Sequence, residues 1–406
     1  MKMNAICGLD IGNGYTKAKI AIDGVDYRVD IPSCVAYTTG SDIADQLNGE
    51  IVLQLPNECD VSLITRAIPS LDAGRIFVGK RALRASTSIR SFNLDDGHAK
   101  SDDSLSVMLA LTTIASVAFE AAFAKKHELV HEISVDAVCA LALPIEDYAR
   151  GRAVYVKKFT DEAHRVIIHN FEHDVEVTIN FVSVQVLAEG ASAQFAISRM
   201  GEDYLNQALV LARMQGAPLD EAYTAKTVLA AQNTVGIDIG EGTVNFPVFR
   251  DGKLSPEASR SISVGWGTVL TRTCEKLRST PYAFDSRKDL GDFLVSESVT
   301  PRTTAIRAVI DKVLDAEIRV FVTDVMDEFA SIMRHQGMRL ECVYVFGGGA
   351  NSVRKYLEPK LFDAVSLDGT SAIPVIYMDS TYSRDLNREG LFEVARLAYD
   401  IIKSTK

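Results

Sequence analysis

Apolar residues open the chain in short runs separated by turn signals. Residues 5–11 (AICGLDI) and 17–22 (KAKIAI) are two such runs, and a third, residues 25–31, follows Asp23-Gly24, a strong hairpin turn. This pattern predicts an antiparallel meander. Residues 38–100 mix Gly, Pro and charge and predict a small irregular subdomain with short strands such as RIFVG at 75–79. Ser101, Asp102 and Asp103 then offer N-caps to a long helix reaching about Lys126. SVDAVCALALP at 134–144 reads as a buried strand stopped by Pro144. VEVTINFVSVQVLAEG at 175–190 alternates and then turns continuously apolar, with Glu189 just past the strand, where a helix begins near Ala191.

The layout then repeats. GLDIGNGYTKAKIAIDG at 8–24 and GIDIGEGTVNFPVFRDG at 236–252 align without a gap: strand, Asp-Ile-Gly, polar turn, strand, Asp-Gly. A long repeat that occurs only twice predicts a duplicated domain rather than a solenoid. Helical patterns dominate from about 303 to 335. LECVYVFGGGANSVRKYL at 340–357 reads as strand, glycine turn, helix, and residues 387–403 form a last amphipathic helix.

Composition narrows the class. The 406 residues argue for two or more domains, and 47 % hydrophobic with 24 % charged residues is ordinary globular usage. A net charge of −11 argues against direct, sequence-independent nucleic-acid binding and suits a cytoplasmic protein. The six cysteines form no CxxC pair and no zinc spacing, so they read as small buried hydrophobes. The N-terminus carries no signal-peptide pattern. The most membrane-like stretch, residues 104–119, falls short of a span and predicts a buried helix.

The candidate chemistry sits in three turns. A short glycine-rich hairpin aims several backbone N–H groups at one point and makes an anion nest. In the first, Gly12, Asn13, Gly14 and Tyr15 form the turn, and Lys17 supplies a cation. In the second the turn is Gly240, Glu241, Gly242 and Thr243. Asp10 and Asp238 open the two turns. A carboxylate beside a polyphosphate is repelled unless a cation lies between them, so the pair implies Mg²⁺ held through water. The plainer alternative is two tight hairpins, and the gapless duplication favours phosphate binding. The third turn, Gly347, Gly348, Gly349, Ala350 and Asn351, joins a strand to a helix, where a ligand can lie against the backbone; the alternative is a helix-packing turn.

DIGNGYTK at 10–17, DIGEGTVNF at 238–246 and VFGGGANSV at 345–353 together resemble the two phosphate loops and the adenosine loop of the actin, chaperone and sugar-kinase ATPase superfamily. Within it the chain is most similar to the plasmid-segregating actins of the ParM (StbA) type. VDAVCALALPIEDYARGR at 135–152 and VSVQVLAEGASA at 182–193 extend the likeness, which is loosest at 40–100 and 280–340. Asn245 stands where these proteins often carry an acidic residue.

The resemblance implies an α/β actin-like fold of two duplicated RNase H-like domains with an ATP cleft between them. Its domains would span residues 1–183, with an inserted subdomain at about 36–98, and 184–406, with helix 387–403 packing back on the first. It implies an ATPase using ATP or GTP with Mg²⁺, in which Glu189 orients the attacking water and Asp10 and Asp238 hold the hydrated metal. Glu189 has an alternative reading as a helix-start carboxylate favoured by the dipole. The implied partners are other copies of the chain in a head-to-tail filament and a DNA-binding adaptor, with no membrane. A small-molecule kinase or a non-polymerising ATPase on the same fold is the alternative function.

Overall fold

In this computed structural model the described residues are all but 41–46, 93–98, 215, 218, 297–299, 337–338, 368–370 and 406. The chain divides into two units: Met1–Ile197 with Leu386–Lys406, and Ser198–Asp385.

Unit one is built on a ten-stranded sheet. Strands β1 (Lys2–Ile11), β2 (Tyr15–Ile22) and β3 (Val25–Pro32) form the meander, and β4 (Cys34–Tyr37) follows. Helix α1 (Gly49–Gln54), strand β5 (Asp60–Ile64), strand β6 (Arg75–Val78), helix α2 (Lys80–Leu83) and strand β7 (Ile89–Ser91) come next. The expected inserted subdomain contributes β4 to β7 to this same sheet, because β5 pairs with a strand of the main body; residues 41–46 and 93–98 of it lie outside the described residues.

Helix α3 (Ser104–Lys126) crosses the sheet as the centre of the core. The Asp103 carboxylate caps it by accepting from the Leu105 N–H at 2.9 Å, and His127 ends it in the left-handed conformation at φ 57°. It is apolar all round because it is buried all round. Among the described residues it is the one helix long and apolar enough to cross a membrane, and it is spent on the core instead.

Strand β8 (Glu132–Leu143), helix α4 (Ile145–Thr160), strand β9 (His164–Ile168) and strand β10 (Val175–Ala188) complete the sheet in the order β3-β2-β1-β8-β10-β9-β5-β6-β4-β7. Strands β1, β8 and β10 are parallel, with Leu9 level with Leu141 and Leu141 level with Val186. Their carboxyl ends therefore share one edge. The second half of β8 is buried on both faces, which explains its unbroken apolar run.

Segment α5 (Ala193–Met214) bends at Gly201 and carries the change of unit. In unit two, α6 (Ala225–Ala230) precedes β11 (Thr234–Ile239), β12 (Val244–Phe246), β13 (Val248–Arg250), β14 (Lys253–Leu254) and β15 (Arg260–Ile262). Pro247 separates β12 from β13, and both pair antiparallel with β11. Helices α7 (Trp266–Leu277), α8 (Arg287–Val295) and α9 (Pro301–Gln336) lead to β16 (Cys342–Phe346) and α10 (Ala350–Val365). A two-stranded ribbon, β17 (Ser366–Leu367) with β18 (Ser371–Ala372), then precedes β19 (Val375–Tyr377) and α11 (Ser380–Ser383). Strands β11, β16 and β19 are parallel, so unit two also has a shared carboxyl edge.

Helix α12 (Leu386–Ser404) belongs to unit one and lies on β1 and β8. Gly8 makes the approach possible, since a Cβ there would overlap the Phe392 backbone. All six cysteines are buried and free. Burial pushes the Cys342 thiol up to about 12, and Cys7, Cys59 and Cys139 also rise, so none is a ready nucleophile.

Candidate functional site

The duplicated hairpins close with the same bond. Gly12 donates its N–H to the Tyr15 carbonyl at 2.9 Å, and Gly240 donates to Thr243 at 2.9 Å. Space favours glycine at each: a Cβ would lie 2.9 Å from Tyr15 O at the first, too close without a shift, and a tight 3.2 Å from Thr243 O at the second. In hairpin one the turn residues Asn13 and Gly14 lead into an exposed Tyr15, and the Gly14 carbonyl accepts from Ser33 N–H at 3.0 Å.

Hairpin two has its carbonyls committed elsewhere. The first N–H groups of α7, from Trp266 and Gly267, donate to Gly240 O at 2.9 Å and Glu241 O at 2.8 Å. A trans peptide sets each N–H opposite the preceding carbonyl, so the amides of Glu241 and Gly242 point away from α7. Two adjacent donors aimed the same way are the arrangement that an anion nest requires. The Glu241 carboxylate pairs with Arg287 at 3.3 Å and lies against Gly267 in the first turn of α7, so this residue offers its backbone rather than its side chain.

Asp10 ends β1, level with Lys17 across the hairpin. Glu189 follows β10 directly, and its N–H donates to Leu143 O at 2.7 Å before Gly190, at φ 77°, turns the chain. The two carboxylates thus share the carboxyl edge of the parallel strands, two strand spacings or about 10 Å apart in backbone. Ligands of open α/β sheets bind at such edges.

The electrostatics tie these residues together. Burial pushes the Asp10 carboxyl above the ordinary carboxylate value; Lys17 opposes this most, Glu189 adds to it, and Lys100 and Arg388 oppose it. Lys100 Nζ lies 2.7 Å from Glu189 Oε1, with the two side chains 6 % and 15 % exposed. Arg388, on the first turn of α12, is buried. Sequence reasoning missed Lys100 and Arg388. Neither lies near Asp10 or Glu189 in the chain, and no local pattern marks them. The only hint was that Lys100 adjoins the capping run 101–103.

Asp238 ends β11 and is buried, 5 % exposed, level with Asn245 and with Phe346. Asn245 accepts from the Ser261 hydroxyl at 2.8 Å. The glycine turn folds directly against this strand. Gly347, at φ 100°, would place a Cβ 2.6 Å from Asp238 Oδ1 and 2.5 Å from Ile239 O. Gly349 donates to Ile239 O at 2.9 Å, and a Cβ on it would lie 2.7 Å from Trp266 Cβ. Gly348 is open, with Arg384 Cγ the nearest atom at 3.9 Å. Two of the three glycines therefore serve packing, which the helix-packing reading required, and Gly348 is the one that leaves backbone accessible. Ala350 and Asn351 begin α10, whose N-cap has no side-chain acceptor. Of its first N–H groups, that of Ala350 donates to Gly347 O at 3.2 Å and that of Ser352 to Gly349 O at 3.1 Å, so the turn itself satisfies much of the helix start.

Among the described residues no three His, Cys, Asp or Glu side chains converge to hold a metal. One carboxylate per hairpin beside a nest fits Mg²⁺ instead, which is held by one or two carboxylates together with phosphate oxygens and water.

Residues 8–191 match the family of actin-like proteins, N-terminal domain. No curated protein matches the chain in sequence. Solved structures similar to it include Bacillus thuringiensis ParM with ATP (TM-score 0.62, 16 % identity, 97 % of this chain and 99 % of that one). An archaeal actin homologue, Ta0583, gives 0.60, 15 %, 98 % and 99 %. A non-polymerisable quadruple mutant of pCBH ParM gives 0.59, 14 %, 98 % and 100 %. The chain therefore has the actin-like fold, and its residues 8–191 are similar to the N-terminal domain of the actin-like proteins.

Proposed function

We propose that this protein is a Mg²⁺-dependent ATPase that assembles into head-to-tail filaments under control of its nucleotide. The observation that carries the reading is the duplicated hairpin. Each unit presents the same closed glycine turn with a carboxylate at its start, and unit one adds Glu189 on the same strand edge. Phosphoryl transfer needs mainly positioning and charge stabilisation, so this small set of groups is chemically sufficient.

In this reading the amides of residues 13–15 and 241–243 hold phosphate oxygens, and Lys17 offsets their charge. Asp10 and Asp238 would hold a hydrated Mg²⁺, which would supply charge shielding between the carboxylates and the phosphates. Glu189 accepts a hydrogen bond from the attacking water and aligns it with the terminal phosphate. Gly348 and the start of α10, at Ala350 and Asn351, face the nucleoside. ATP is the expected nucleotide, with GTP the comparison.

Assembly follows from a ligand's differential affinity. A nucleotide engaged by both hairpins favours the state in which both engage, and loss of the γ-phosphate removes that preference. A contact between unlike ends of a subunit that does not close on itself makes a filament. The ParM likeness supports this reading, as does the existence of a non-polymerisable ParM mutant among the similar structures. The cargo we propose is DNA held through a basic adaptor in the cytoplasm, because the chain itself is acidic.

The test is phosphate release together with sedimentation and electron microscopy in ATP, ADP and a non-hydrolysable analogue. Filaments with ATP that shorten as phosphate is released are expected. A protein that hydrolyses ATP yet stays monomeric in all three well above micromolar concentration would sink the filament proposal and favour the kinase. Glu189→Ala should slow hydrolysis about 100-fold or more while ATP still binds.

A further inference from the structure

We infer that Lys100 is a positioning residue for hydrolysis: its ammonium fixes the carboxylate of Glu189, and the turn that carries it is built for that purpose. The inference rests on the assignment of Glu189 to the attacking water.

The ion pair is short and dry. Lys100 Nζ sits 2.7 Å from Glu189 Oε1, and Lys100 is among the most deeply buried charged side chains of the described residues, at 6 % exposed. A lysine is seldom buried unless it is paired, so its burial records a specific requirement. The Phe92 ring lies under the ammonium, 5.3 Å from its centroid, and closes that side with an apolar but cation-compatible surface.

The backbone of the turn is held independently of the side chain. The Lys100 N–H donates to Asp147 Oδ2 at 2.6 Å, and the Ser106 hydroxyl donates to the Asp103 carbonyl at 2.9 Å, with the Lys100 carbonyl farther off at 3.4 Å. Lys158 Nζ donates to the Asp102 carbonyl at 3.2 Å. Gly151 on α4 lets the turn settle against the helix, since a Cβ there would overlap the Ser101 side chain. Asp103 at the end of the turn caps α3, the helix at the centre of the unit. Lys100 is thus anchored to two core helices while its ammonium reaches the end of a core strand.

A carboxylate that must align water within a few tenths of an ångström needs such a restraint. Glu189 stands at the end of β10 before a left-handed glycine, a place where its side chain has several rotamers available. An anchored cation on one oxygen selects among them. The Lys100 charge also favours the ionised Asp10, as do those of Lys17 and Arg388.

The experiment uses the full chain with MgATP, comparing Lys100→Met, Lys100→Arg, Glu189→Gln and the double variant Lys100→Met/Glu189→Gln. Lys100→Met keeps the buried stem and removes the charge. It should lower kcat about 10- to 100-fold with KM for ATP within about threefold, and Lys100→Arg should recover most of the loss. In the Glu189→Gln background the Met substitution should change kcat by less than about threefold, because the two residues act as one unit. If Lys100→Met does not fold, judged by its melting curve, the same kcat loss is read in Lys100→Gln. Normal kcat in the Lys100 variants beside a slow Glu189→Gln overturns the role of Lys100 alone. So does an equal loss in both backgrounds, which would mark a structural effect. Normal kcat in Glu189→Gln overturns the assignment of Glu189 and this inference with it.

Discussion

Hairpin one and hairpin two are the same object in backbone and different objects in charge. Each closes with a glycine N–H to carbonyl bond of 2.9 Å. Each also ends at an Asp-Gly turn with positive φ at both positions, 49° and 86° at Asp23-Gly24 and 50° and 73° at Asp251-Gly252. Those are the angles of a two-residue turn matched to strand twist. What faces the leading carboxylate differs: Lys17 stands across from Asp10, and Asn245 across from Asp238. Lys100, Arg388 and Glu189 gather near Asp10, whereas a glycine backbone presses against Asp238. Glycines and turn residues fix the loop, which leaves the flanking side chains free to specialise. Unit one concentrates charge around its carboxylate, and unit two concentrates backbone.

The comparison can be broken most sharply at the carboxylates. Asp10→Ala and Asp238→Ala should each lower Mg²⁺-dependent kcat/KM for ATP by about 1000-fold. Normal Mg²⁺ dependence in both would refute the shared role of the hairpins, measured by phosphate release over a Mg²⁺ titration.

The next largest effect separates the cross-strand partners. Lys17→Asn makes hairpin one resemble hairpin two and should weaken ATP binding by about 2 kcal/mol, roughly 30-fold, the worth of one charge-assisted hydrogen bond. Asn245→Ala should instead cost about 1 kcal/mol of stability by stranding the Ser261 hydroxyl, with ATP affinity within about threefold. Calorimetric titration beside a thermal melt distinguishes the two. Equal loss of affinity in both would erase the asymmetry.

A third contrast lies within the glycine turn. In the sequence Gly348 and Gly349 are equivalent members of one glycine turn. The structure separates them. Gly349→Val meets Trp266 and Ile239 and should cost about 1–3 kcal/mol through overpacking. Gly348→Val meets little, so its melting temperature should stay near the native value while a fluorescent ATP analogue binds more weakly. Matching melting temperatures would contradict this division.

The smallest effect tests the distal turns. Gly24→Ala meets only open space and should cost about 1 kcal/mol for its left-handed backbone. Gly252→Ala should cost more, because a Cβ there also overlaps the Gln232 amide. Urea denaturation of each variant provides the comparison.

Much of this was legible because it was local. The Asp-Gly turns, the Asp103 cap of α3, the Pro144 end of β8 and the gapless hairpins each rest on residues a few positions apart. The charge cluster was not legible. Lys100, Glu189 and Arg388 meet only because the sheet order and α12 bring distant segments to one strand edge, and a one-dimensional pattern carries no sign of that. The two packing glycines escaped for the same reason: Gly347 is defined by Asp238 and Gly349 by Trp266, partners on other elements. Pro247 was visible in the sequence, but its splitting of the second strand into β12 and β13 became clear only from the pairing with β11.

Helix α12 imposes an order on how the protein is made. It lies on β1, places Arg388 near Asp10, and rests Gly390 against the carbonyl of Ser192, just beyond Glu189. Those residues leave the ribosome only after the whole of unit two. Domains usually fold as they are synthesised, N-terminal first. Unit one cannot finish that way, because its sheet waits with the face around Gly8 uncovered until the last helix arrives. The nascent chain is therefore barred from completing the charge cluster around Asp10 until synthesis has passed residue 388, and a chain released early carries both hairpins with that cluster unfinished.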